Sequence, residues 1–119
     1  MSVHWEIEYP GLELRGAELA WTMKNLGDET AQAGSTCGEI SIWQTASHDP
    51  DSHVDSTPWT NPLSLSRDVP QQTAHTMTYQ VAWDGQPHGS YTARITLPDN
   101  VMAETYFNVT IYGVEHGWN

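Results

Sequence analysis

Apolar side chains recur at every second position in one segment after another. Val3, Trp5, Ile7 and Tyr9 alternate with His4, Glu6 and Glu8. The same beat returns at Leu19/Trp21/Met23, Ile40/Ile42, Met77/Tyr79/Val81/Trp83, Tyr91/Ala93/Ile95/Leu97 and Phe107/Val109/Ile111. A two-residue period sends one set of side chains into a core and the other into water. No long segment carries the helical period instead. A chain written this way is restricted to sheets, and its 119 residues suffice for one domain around one core.

Turn residues divide the segments. Pro10-Gly11 closes the first and Asn25-Leu26-Gly27-Asp28 the second. Asp84-Gly85 and Pro98-Asp99-Asn100 close two later ones. Gly, Asn and Asp suit turns because they tolerate positive φ or cap their own backbone. The spacing predicts strands over 3–9, 17–25, 38–45, 62–66, 73–83, 90–97 and 104–112. Leu63 and Leu65 point inward on the fourth, and Trp5, Trp21 and Trp83 join the core. Many short strands with turns between them predict an immunoglobulin-like antiparallel β-sandwich of about seven strands, a single domain over residues 1–119.

Charge narrows the partners. Fifteen acidic residues face four basic ones, for a formal charge of −11. Such a surface repels nucleic-acid backbones and anionic lipid. No apolar run reaches membrane-spanning length, so no membrane insertion is expected. Cys37 has no second cysteine to pair with, and its place at the start of the third strand predicts a small buried side chain. Residues 1–20 lack a basic and then apolar leader pattern, so no signal peptide is expected. The expected setting is cytoplasmic if the chain is whole, and the cell surface or secreted if it was cut from a longer protein.

Two stretches carry a resemblance. Residues Leu19-Ala20-Trp21-Thr22-Met23-Lys24-Asn25-Leu26-Gly27 resemble the apolar-x-apolar-x-apolar-x-Asn-x-Gly strand of bacterial CARDB-type immunoglobulin-like domains. Gly89-Ser90-Tyr91-Thr92-Ala93 resembles the strand of immunoglobulin and fibronectin type III sandwiches in which a tyrosine forms a corner. Leu97-Pro98-Asp99-Asn100-Val101 and Glu104 are similar to the turn that follows it. The resemblance implies adhesion, surface display or assembly. It implies no catalytic residues. The chain departs from it in the long acidic stretch over 48–61, and Asn108 lacks a paired Asn.

Three groups of residues are candidates for chemistry. His48, Asp49, Asp51, His53 and Asp55 alternate carboxylates with imidazoles, the ligand types of Ca²⁺ or Zn²⁺. The plainer alternative is a solvated acidic loop, and apart from this divalent cation no cofactor is expected. Trp43, Trp59, Tyr106 and Tyr112 fall on outward beats or in the loop, where exposed rings stack on sugars or anchor a protein. The alternative is that Trp43 and Trp59 cover one another. The scattered histidines, and Glu6 and Glu8 beside His4, form no known catalytic motif, so an enzyme is the less favoured reading.

The sequence therefore predicts a non-catalytic recognition or assembly module. Exposed aromatics and the acidic loop would bind a protein or carbohydrate partner. Two other readings stay open. One is a small enzyme or ligand carrier with a pocket in the sandwich. The other is a structural homo-oligomer joined through edge strands, the first or the last, which carry few guarding lysines.

Overall fold

The computed structural model of the protein describes residues 2–9, 11–16, 18–45, 59–80, 88–110 and 113–116, with backbone alone at 59, 113, 115 and 116. Among the described residues nine strands run in order: β1 (Trp5–Ile7), β2 (Glu13–Arg15), β3 (Glu18–Asn25), β4 (Thr36–Thr45), β5 (Trp59–Ser64), β6 (Ala74–Gln80), β7 (Gly89–Leu97), β8 (Val101–Thr110) and β9 (Gly113–His116). The described residues hold no α-helix. In the first sheet, β1 and β2 lie along one side of β3, and β6 lies along the other. The second sheet runs β5-β4-β7-β8-β9, antiparallel throughout. The chain crosses between sheets from β3 to β4, from β5 to β6 and from β6 to β7. Two packed antiparallel sheets make this the expected all-β sandwich.

The alternating residues build the core. Leu19, Trp21 and Met23 of β3 and Met77 of β6 are buried, as are Ile40 and Ile42 of β4. Tyr91, Ala93, Ile95 and Leu97 of β7, and Phe107 and Val109 of β8, are also buried. Each such aliphatic side chain contributes about 1.5–3 kcal/mol through burial. Tyr91 and Phe107 are cross-strand partners whose rings stack 5.7 Å apart at 7°. Leu63, Leu65, Trp5 and Cys37 are buried as expected. Trp83 lies outside the described residues.

Two glycines set the frame. A Cβ at Gly27 would collide with the Ser2 carbonyl oxygen and the His4 nitrogen. That close approach lets Leu26 N–H donate to His4 O at 2.6 Å and Asp28 N–H to Ser2 O at 3.1 Å. Gly38 has φ +128°, and the register of β4 on β5 shifts between Thr36 and Gly38. A side chain there would strike the Thr96 carbonyl. The bulge carries pairing past the glycine, so β4 begins two residues before the expected start.

Three expectations change. The first strand, expected over 3–9, spans only Trp5–Ile7; Gly11 N–H bonds back to Glu8 O at 2.9 Å, and a further short strand, not expected, follows at Glu13–Arg15. The last expected strand is not a free edge: β9 pairs with its residues 107–110. Among the described residues the longer unpaired border of the first sheet is β6, not β1.

Candidate functional site

The outer face of the second sheet is built by register. Trp43 of β4 pairs with Thr92 of β7, and Thr92 with Tyr106 of β8. Directly opposed residues share a face, so the three form one row. The next row is Thr60, Ser41, Arg94 and Glu104. On the other side, Ser90 pairs with Asn108, and its hydroxyl donates to Asn108 Oδ1 at 3.0 Å.

The face is tightly knit. The Arg94 guanidinium carbon lies 5.0 Å from the centroid of the Trp43 ring. Its Nη2 donates to Glu104 Oε2 at 3.2 Å. These side chains are only 32% and 29% exposed, so the pair is partly shielded from water. A cation over an indole face adds about 0.5–2 kcal/mol, more as water is excluded. Arg94 Nε is buried and has no acceptor among the described residues. Thr92 is fully buried, and its hydroxyl lies 3.4 Å from that of Thr45. Ser41 and Thr60 hydroxyls share a 3.0 Å hydrogen bond.

Trp43 lies on the outward face, as its beat predicts, but it is not an exposed ring. It is 4% exposed. A Trp at the middle of a strand is flanked by diagonal neighbours on the strands beside it, and Arg94 occupies one face of this one. Tyr106 is half-buried in the same row. Trp59 pairs with Ile42 by backbone register, and its side chain lies outside the description. Tyr112, His48, Asp49, Asp51, His53 and Asp55 lie outside the described residues. Among the described residues no group of His, Cys, Asp or Glu is placed to hold a metal ion.

Sequence reasoning missed Arg94 and Glu104. Both stand on outward beats, which is ordinary for charged residues. Only the pairing of β4, β7 and β8 places them beside Trp43.

A second feature lies at one end of the sandwich. A half-open cleft of about 290 Å³ is lined by Val3, Trp5, Ala31, Cys37, Leu65 and Pro98, with polar residues of the 29–36 segment at its mouth. Burial pushes the Cys37 thiol above its ordinary value, and its Sγ lies 3.5 Å from Leu63 O. The thiol is therefore protonated at neutral pH and a poor nucleophile.

Asn25 holds the cleft wall. It is fully buried, and its Nδ2 donates to Glu29 O at 2.8 Å and Val69 O at 3.1 Å. Its Oδ1 accepts Gly27 N–H at 3.0 Å. The Asn-x-Gly spacing that carried the family resemblance is thus a structural clasp here.

The class that fold and geometry define is an all-β sandwich with a packed aromatic–cation cluster on one sheet face. Compared with known families and curated proteins, the chain matches no family model and no curated protein. Among the described residues no helix is long and apolar enough to cross a membrane.

Proposed function

We propose that this domain is a recognition module that takes a protein partner on the outer face of its five-stranded sheet. The observation that supports it is the Trp43–Arg94–Glu104 cluster beside Tyr106. The outward face of a sandwich is ordinarily short and polar. Here it offers Tyr106 and Arg94, residue types that dominate binding hot spots, with the buried Trp43 beneath Arg94 holding the guanidinium in place. Arg94 is one of only four basic residues in a chain of charge −11, and it sits at the middle of this face. A protein suits the face better than a sugar. Sugar stacking needs a bare ring, and Arg94 covers a face of Trp43.

The test places a photo-crosslinking amino acid at Tyr106, with a control at Thr22 on the outer face of the first sheet. The module reading expects one defined adduct from position 106, competed by added unlabelled protein but not by its Arg94→Glu variant. Equal labelling from both positions, or competition by both proteins, would sink the reading.

A further inference from the structure

The cleft at the end of the sandwich belongs to none of this, and its own chemistry is specific. We infer that it binds a small organic cation: a flat apolar body of one or two rings carrying a protonated amine.

Size comes first. An apolar cavity of about 150 Å³ suffices for benzene. This one holds about 290 Å³, room for a fused pair of rings, near the lower end of ordinary ligand sites. The walls fit such a body. Val3, Trp5, Ala31, Leu65 and Pro98 line it with apolar surface.

The wall is also preformed. Ala31 and Val69 exchange both backbone hydrogen bonds, at 3.0 and 2.8 Å. Gly34 N–H donates to Leu65 O at 2.8 Å, and Leu65 N–H to Ser35 O at 3.1 Å. Ala33 N–H donates to Asp68 Oδ1 at 2.7 Å. Five bonds thus staple the 31–35 segment to the 65–69 segment, so little ordering remains for a ligand to impose.

Charge selects the sign. Glu29 lines the mouth and is exposed. Beyond the lining residues, Asp28 precedes it and accepts Ser2 N–H at 2.7 Å, and Asp99 follows Pro98 with its Oδ2 3.7 Å from His4 Nδ1. None of Lys24, Arg15, Arg67 or Arg94 lines the cleft. An ammonium group at the mouth meets carboxylate and the hydroxyls of Thr30, Ser35 and Thr36. A carboxylate there meets like charge in a chain of charge −11.

Two isosteric probes of opposite charge test this. Tryptamine and indole-3-propionate are titrated into the ¹⁵N-labelled protein and followed by amide and indole N–H shifts. Tryptamine should shift Ala31, Ser35, Cys37 and the Trp5 indole saturably. Indole-3-propionate should bind at least about tenfold more weakly. Glu29→Gln, which alters an exposed side chain and leaves its carbonyl on Asn25, should weaken tryptamine about three- to fivefold and narrow the gap between probes. Thr36→Trp, at another exposed lining position, should abolish the shifts by filling the mouth. The inference is overturned by absence of saturation at ~5 mM tryptamine, by equal binding of the two probes, or by shifts centred on Tyr106 instead. Its failure leaves the outer-face reading untouched, because the two surfaces share no residue.

Discussion

At Trp43 the two-residue beat and the burial disagree, and the disagreement has an energetic consequence. The beat sends the side chain out of the sandwich, yet the ring is 4% exposed. Its surroundings are a second, smaller packed layer of Arg94, Thr92 and Thr45. Trp43→Ala should therefore cost about 3–5 kcal/mol, the range for truncating a core aromatic. Urea unfolding would measure it. A cost under ~1 kcal/mol would return the ring to the solvent-exposed class. His75 on β6 carries a second consequence. It is 9% exposed and faces Met23 across the ladder. Burial, and then the charge of Arg67, hold its pKa below the ordinary 6.5. The folded state thus favours neutral imidazole. The stability this lends is present above pH ~6.5 and is lost as pH falls below that value, where the unfolded chain takes up the proton more readily. The melting temperature should fall between pH 7 and 5.5, and His75→Gln should fall less over the same interval. An identical fall in both proteins would remove His75 as the cause.

Among the elements, the hairpin from β7 to β8 depends most on two particular residues. Its turn, Pro98–Asn100, holds Asp99 at φ 67° and Asn100 at φ 60°. Asn and Asp tolerate this left-handed region, and a β-branched side chain does not. Asn100→Val should lower stability by about 1–2 kcal/mol, while Asn100→Gly should be neutral or slightly stabilising. Equal effects of Val and Gly in thermal unfolding would refute the backbone argument. This turn was legible in the sequence as Pro-Asp-Asn, and so were β3 and β7, because eight or nine residues on a two-residue beat state a period plainly. β8, expected over 104–112, runs Val101–Thr110, because Val101-Met102-Ala103 break the beat yet pair with Ile95–Leu97 of β7. β2 and β9 were not legible. Three or four residues cannot display a period, and both owe their pairing to a longer neighbour, β3 and β8. The site divides the same way. Trp43 and Tyr106 could be singled out as aromatics on outward beats. That Arg94 lies over one and Glu104 beside the other depends on register across three strands. The cleft needed still more, since Trp5, Ala31, Cys37 and Pro98 come from four separate places in the chain.

Over the whole molecule the dominant long-range effect is like-charge repulsion. Fifteen carboxylates against four basic side chains leave −11 on a chain of 119 residues. Described ion pairs relieve little of it: Arg15–Glu13 and Arg94–Glu104 use two of the four cations locally. Such a field opposes the compact state and also keeps the uncovered β6 edges of two copies apart. Both effects weaken as salt shortens the screening length from about 30 Å at 0.01 M to about 3 Å at 1 M. Raising NaCl from ~10 mM to ~0.5 M should therefore raise the melting temperature by several degrees, on the order of 1 kcal/mol. Glu39→Lys, at an exposed position on β4, should raise it at low salt and flatten the dependence. Screening is blind to ion identity, whereas a site is not. CaCl₂ or ZnCl₂ added at matched ionic strength should act like NaCl if only the field is at work. A further rise that His53→Ala with Asp55→Ala abolishes would instead assign a cation to His48, Asp49, Asp51, His53 and Asp55, since a ligand bound only to the folded state adds its own increment.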